Sequence, residues 1–303
     1  MKAYIRPEFL KKGDTVAVIA LASALSESSR QTLYWKEMLE SWGLRVKTGK
    51  HLYDSEPGDF AGTDADRGAD LTEALLDDEV KAIISFRGGY GSMRTVRAMD
   101  LSLFAAHPKW LVGFSDITVF HAVLRSMGIE SILGAMPSTV GEGSQVSEES
   151  LRKALFGEIK SYRTASHPYN QCGSARGRLV GGNLSLVVSC LRTPWEVRPR
   201  ENFVLFLEDV DERMYNIDRM MLTLQQGGLL DRAKAIVIGQ FTDTAGEDEW
   251  KRCALDLMHE YMPADKPILF GFDCGHEHPN YSLYLGREVT LDVTPDGGLL
   301  KFE

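Results

Sequence analysis

The chain has 303 residues and a formal net charge of −9, with a pI near 5.4. That balance excludes the basic stripe by which proteins hold nucleic acid or an anionic membrane, so neither is expected as a partner. With 44% apolar and 25% charged residues, the composition is that of a globular protein of one large or two medium domains.

The first apolar run, Val16-Ala17-Val18-Ile19-Ala20-Leu21-Ala22, follows Lys11-Lys12 in the manner of a secretory leader, but Pro7, Glu8, Gly13, Asp14 and Thr15 crowd it. It reads better as a buried strand, and no other stretch approaches a membrane span. Strands are predicted at 16–21, 44–47, 82–86, 110–112 and 131–133, with helices at 28–42, 64–76, 92–99 and 117–127 between them. Such alternation builds a parallel sheet covered on both faces, and ligands collect at the carboxyl ends of its strands. Two loops follow strands there, Arg87-Gly88-Gly89-Tyr90-Gly91 and Gly113-Phe114-Ser115-Asp116.

After a helix at 148–156, the polar stretch 161–177 reads as a connection between domains. A second unit opens with Gly177-Arg178-Leu179-Val180-Gly181-Gly182-Asn183 and a helix to 191. Strands at 203–207, 235–239 and 268–270 then alternate with helices at 214–226 and 249–261, and a hairpin at 289–302 turns at Pro295-Asp296-Gly297. The expected class is therefore α/β. An N-terminal parallel-sheet domain of the flavodoxin or amidotransferase kind occupies 1–160, a connection 161–176, and a smaller C-terminal α/β domain 177–303. Cys172, Cys190, Cys253 and Cys274 form no C-x-x-C pair or dense framework, which points to reduced thiols and a cytoplasmic location.

Ser115 stands where a buried strand turns sharply into a helix whose apolar residues Val119, Phe120, Val123, Leu124 and Met127 keep a 3.6-residue period. Such a turn pushes the hydroxyl out above the sheet edge, beside the N–H groups of the helix start, as an activated nucleophile requires. The same residues also suit a plain helix cap through the Asp116 carboxylate. A nucleophilic serine needs a base, and the base needs a partner that fixes its tautomer. Glu208, after Phe203-Val204-Leu205-Phe206-Leu207, is either that partner at a strand end or part of a solvated acidic loop with Asp209, Asp211 and Glu212. The histidine candidates are His276 and His278. On an extended segment these share a face, which with Glu208 or Asp273 also suits a zinc site. No cysteine lies near Ser115, which argues against a glutamine amidotransferase. A binding module using Arg87 to Gly91 as an anion loop would have no need of Glu208 and His276.

The set Arg87-Gly88-Gly89-Tyr90-Gly91, Gly113-Phe114-Ser115-Asp116, Leu179-Val180-Gly181-Gly182-Asn183-Leu184, Leu207-Glu208-Asp209-Val210 and Gly275-His276 resembles the serine LD-carboxypeptidases that act on muropeptides. Their clan also holds the microcin C immunity proteins, and the likeness runs from about Gly13 to Gly286 in the family's order and spacing. The resemblance implies a hydrolase with no cofactor or metal in which Ser115 is the nucleophile, His276 the base and Glu208 the group that orients it. These three are expected to assemble only where the two domains meet. The backbone N–H groups of Gly89 and Asp116 are the expected oxyanion donors. Asn183 either donates to substrate or caps its helix. Arg87 is the candidate partner for the free carboxylate of a small peptide substrate. The order Ser, Glu, His is that of α/β-hydrolases, but Ile117 stands where their elbow has its second glycine, so a different fold with convergent chemistry is implied.

The implied substrate is a murein tetrapeptide whose terminal D-alanine hangs on the L-centre of a diamino acid, met in peptidoglycan recycling, and the implied assembly is a homodimer. The immunity branch, which hydrolyses aminoacyl-adenylate conjugates, resembles this chain at Gly271-Phe272-Asp273-Cys274 and His278-Pro279. Against that branch, residues 137–177 contain no tryptophan to stack a nucleotide base. Tyr284 stands where the family has a proline, a departure common to both branches.

Overall fold

A computed structural model describes residues 4–197 and 202–303. The chain divides into two compact units, Met1–Glu158 with Tyr281–Tyr284, and Ile159–Asn280 with Leu285–Glu303. In the first unit β1 (Thr15–Ile19), β2 (Arg45–Thr48), β3 (Val80–Ser85), β4 (Trp110–Gly113) and β5 (Ser131–Leu133) pair in parallel. Their order is β2-β1-β3-β4-β5, and Leu283–Leu285 adds a sixth strand beside β5. Winding reverses between β1 and β3, and the crevice above such a reversal is where open α/β sheets hold ligands. The loop Arg87 to Gly91 leaves β3 there.

β1 and β4 are buried at every position, as the continuous apolar runs of a sheet covered on both faces should be. The helix Asp64–Leu76 begins where predicted, because Thr63 and Asp66 form a reciprocal capping box. The helix predicted at 28–42 is two pieces, Glu27–Gln31 and Tyr34–Ser41, separated by extended backbone at Thr32. The break lets the second piece bury Trp35, Met38 and Leu39, with Trp35 edge-on to Phe86 at 5.5 Å.

The second unit contains β6 (Ser161–Ala165), β7 (Gly173–Asn183), β8 (Phe203–Val210), β9 (Ala235–Thr242) and β10 (Ile268–Leu269). β11 is the strand Leu283–Leu285 of the first sheet, and β12 (Glu288–Thr294) and β13 (Gly297–Phe302) are the predicted hairpin. The sheet order is β10-β9-β8-β7-β12-β13-β6. It is parallel from β10 to β7 and antiparallel beyond.

Three expectations change here. Residues 161–176 are not a bare connection, because β6 is an edge strand paired with β13. Its residues are alternately exposed, which gives an edge strand the polar composition of a linker. The helix predicted at 249–261 is interrupted by Lys251 in left-handed backbone, leaving Glu247–Trp250 and Ala254–His259. β8 does not end at Leu207 but continues through Glu208 and Asp209 to Val210, with a register shift against β9 between Leu207 and Asp209.

One face of β8 and β9 packs Leu205, Leu207, Ile236 and Ile238 against Met214, Ile217, Met221 and Leu224 of the helix Met214–Gln226. Each such side chain, fully buried, contributes roughly 1.5–3 kcal/mol. That face anchors the strand from which Glu208 projects.

Candidate active site

Ser115 lies in left-handed backbone, φ 61°, a conformation that costs a residue with a β-carbon energy and is concentrated at functional turns. A single 3-10 turn, Ser115–Ile117, carries the chain from β4 into the helix Thr118–Met127. The missing second glycine now has an explanation. A β-carbon on Gly113 would lie 2.8 Å from Ile117 Cγ1, so the first glycine makes room for Ile117 to fold back over the strand end. On the other side of the serine, a β-carbon on Gly88 would lie 3.0 Å from Ser115 Cβ and 3.1 Å from its Oγ. The glycine loop therefore touches the serine directly.

That loop is held from two sides. Ser23, just beyond β1, accepts through Oγ from the backbone N–H of Tyr90 at 3.1 Å. Arg87 donates from Nη1 to the Ala24 carbonyl at 2.9 Å. Its Nη2 is 3.7 Å from the place a β-carbon on Gly89 would take, so the half-buried guanidinium lies alongside the expected oxyanion glycine. Asp116 does not cap its own helix. Its buried Oδ2 accepts from the backbone N–H of Ser92 at 2.7 Å, at the start of the helix Ser92–Arg97. Burial pushes this carboxyl above the usual range, and the N–H groups of Ser92 and Gly91 oppose that push. The residue after the serine thus ties the elbow to the far end of the glycine loop.

His121, which sequence reasoning passed over, braces the elbow from below. Its Nε2 lies 2.9 Å from the Gly113 carbonyl and its Nδ1 2.8 Å from Ser131 Oγ, and it is fully buried. A carbonyl only accepts, so Nε2 carries the proton and Nδ1 accepts from the serine. The available signal was a polar residue within the apolar run of this helix. Burial lowers the His121 pKa to about 4, the Gly113 bond opposing it. An unfolded histidine binds its proton near pH 6.5, so this group's contribution to stability is intact above that value and falls as pH drops toward 4. Against His121→Gln, which keeps a donor and an acceptor, the wild-type protein is expected to lose roughly 2–3 kcal/mol of relative stability between pH 7 and pH 4.5. Urea unfolding of both proteins at the two pH values measures the difference, and a constant gap would show that His121 does not titrate in this range.

In the second unit, Glu208 is fully buried in β8, opposite the point where β9 carries one extra residue, and its Oε2 lies 2.8 Å from His276 Nδ1. A carboxylate only accepts, so Nδ1 carries the proton and Nε2 is the basic nitrogen of the ring. Glu208 Oε1 has no hydrogen-bond partner among the described residues. A buried carboxylate so thinly compensated gains most from a positive charge placed on its neighbour. The pair is chemically suited to hold an imidazolium. The acidic-loop reading of Glu208 is thereby excluded.

The neighbouring Asp209 accepts from Asn183 Nδ2 at 2.6 Å, from the Ser185 N–H at 3.0 Å and from the Val210 N–H at 2.9 Å. Burial first, and then the charge of Glu208, push its carboxyl up to about 7. Asn183 is spent on structure: Oδ1 accepts from the Leu186 N–H and the Ser185 hydroxyl while Nδ2 serves Asp209. It caps its helix through Oδ1 and turns its amide nitrogen to Asp209. His278 is exposed, and the ring nitrogen that meets Glu208 belongs to His276. Among the described residues no three His, Cys, Asp or Glu side chains gather as a metal site.

Comparison with known proteins identifies the family. Residues 16–134 match the family model described as the LD-carboxypeptidase N-terminal domain, and residues 176–291 match the LD-carboxypeptidase C-terminal domain. A probable murein peptide carboxypeptidase of Bacillus subtilis is 38% identical over 95% of this chain and 92% of its own length. The crystal structure of muramoyltetrapeptide carboxypeptidase from Oxalobacter formigenes superposes with a TM-score of 0.84 at 27% identity, covering 95% of this chain and 98% of that one. The microcin immunity protein MccF, in complex with glutamyl sulfamoyl guanosine, shares the fold with a TM-score of 0.86 at 22% identity over 100% and 99% of the two chains. With both halves matched in order, and a relative of this identity along nearly the whole length, the chain belongs to the LD-carboxypeptidase family of serine hydrolases.

Proposed function

We propose that the protein removes the terminal D-alanine of murein tetrapeptides, with Ser115 as nucleophile, His276 as general base and Glu208 as its orienting carboxylate. The observation that carries the reading is the buried Glu208–His276 bond, which fixes the ring tautomer and leaves Nε2 basic. His276 takes the proton of Ser115 Oγ as that oxygen attacks the carbonyl carbon of the L,D-peptide bond. The resulting oxyanion is received by the N–H groups of Gly89 and Asp116. His276 then passes its proton to the leaving amine of D-alanine, and water releases the acyl group by the same steps in reverse order. Arg87, anchored on Ala24 beside Gly89, pairs with the substrate carboxylate. The four cysteines are free thiols, which supports a cytoplasmic setting. A homodimer goes with the reading by analogy, and light scattering tests it.

Incubation with a tetrapeptide, its C-terminally amidated form and an aminoacyl-sulfamoyl adenylate, with products weighed, tests the substrate. The free peptide is expected to lose D-alanine. Amidation removes the charge facing Arg87 and should cost about 1.5–3 kcal/mol of recognition, the range for a charged hydrogen bond. Equal rates on the two peptides would remove the carboxylate clamp, and efficient cleavage of the adenylate would move the protein to the immunity branch. Activity should persist in EDTA, since serine catalysis needs no ion.

A further inference from the structure

We infer that Gln240 is a positioning residue for His276, holding the histidine loop in the place from which the ring meets Glu208. The inference rests on the proposed role of His276 but concerns a residue that touches none of the reacting atoms. Residues 270–282 form no helix or strand, so no ladder of backbone bonds fixes the histidine. The loop depends on other contacts for its shape.

Gln240 supplies three of them. It sits in β9 directly after the buried run Ala235 to Gly239, with its side chain half-buried. Its backbone N–H donates to the Cys274 carbonyl at 3.0 Å. Its Oε1 accepts from the Glu277 N–H at 2.8 Å, and its Nε2 donates to the Pro279 carbonyl at 3.1 Å. These contacts fall on both sides of His276, two residues before it, one after and three after. Gly275 is the space that permits them, because a β-carbon there would stand 2.7 Å from Gln240 Cβ and 2.9 Å from its Oε1. An amide is the one uncharged side chain of this length that presents an acceptor and a donor together. β8 and β9 are adjacent parallel strands, so the residue that orients the ring and the residue that orients the backbone beneath it project from the same rigid sheet.

Catalytic groups displaced by about 1 Å lose on the order of 100-fold in rate, and a loop released from two side-chain contacts at one residue is open to such a shift. Gln240→Leu keeps the backbone contact and removes the other two. The expected result is a kcat lowered roughly 10- to 100-fold with KM within about twofold, since no substrate contact is lost. The deciding measurement is independent of turnover. In protein with isotope-labelled histidine, the His276 Nδ1 proton shared with Glu208 should exchange with water at least about tenfold faster in the variant, as expected for a loosened hydrogen bond. An unchanged exchange rate overturns the inference whatever the activity does. If His276→Ala leaves hydrolysis intact, the reading of the site falls, and the proton comparison still decides the role of Gln240. Should Gln240→Leu fail to fold, Gln240→Glu gives the same comparison, because it keeps an acceptor for Glu277 and loses the donor to Pro279.

Discussion

Ser115→Ala is expected to lower kcat on the tetrapeptide by about 10⁴- to 10⁶-fold, the range seen when a serine nucleophile is deleted, while the protein stays folded. The same position carries a second expectation, about stability. With φ at 61°, the serine pays for its backbone, and alanine pays as much because the clash comes from the β-carbon. Glycine does not. Ser115→Gly should be as inactive as the alanine variant yet more stable by about 1 kcal/mol, the relief of a left-handed residue less the extra entropy glycine loses on folding. Urea unfolding of the three proteins, alongside active-site labelling with a fluorophosphonate, reads both effects. Residual turnover of a tenth or more in Ser115→Ala would remove this residue from the chemistry.

Glu208→Gln is expected to cost about 10⁴-fold in kcat, the scale found when the orienting carboxylate of a triad becomes an amide and the ring tautomer is no longer fixed. Its effect on stability should run the other way. The carboxylate is fully buried with one oxygen unpartnered, and its charge helps to drive Asp209 up to about 7. An acid whose folded pKa is raised destabilises the fold most at pH above that value, and the penalty is relieved as pH falls through it toward the ordinary range. Removing the Glu208 charge should therefore stabilise the protein more at pH 8 than at pH 5. Thermal unfolding at the two pH values gives the answer. A variant less stable than wild type at pH 8 would mean that the Glu208–His276 bond holds the fold as well as the chemistry.

Much of this was legible because β1 and β4 of the first sheet are buried at every position. They read as unbroken apolar runs, and the serine follows β4 across a single glycine-led turn. Contrast β8, where the chain continues as strand through Glu208 and Asp209. Two adjacent acids mark an exit in any pattern based on polarity, and only their partners, His276 for one and Asn183 with Ser185 for the other, keep them buried. The same limit hid His121 and the carboxylate of Asp116. Asp116 satisfies the N–H of Ser92, far back in the sequence, while His121 reaches across the elbow to the Gly113 carbonyl, and no hydrophobic periodicity encodes either bond. β6 was misread for the opposite reason, since an edge strand needs no apolar face to announce it.

The strand β11 has a consequence for dissecting this protein. A polypeptide stopped at residue 160 would keep the nucleophile and the glycine loop but lose the outermost strand of their sheet, which the gene supplies more than a hundred codons later. Tyr284 would go with it, a fully buried ring 5.8 Å from Trp110 and 5.8 Å from Phe9, with its hydroxyl on the Ala154 carbonyl. The uncovered β5 would show Ile132 and Leu133 beside a row of open amides, the kind of edge that recruits other chains. Such a fragment should precipitate, whereas one to which residues 281–285 are restored through a short linker should not. The two halves are thus interleaved along the gene.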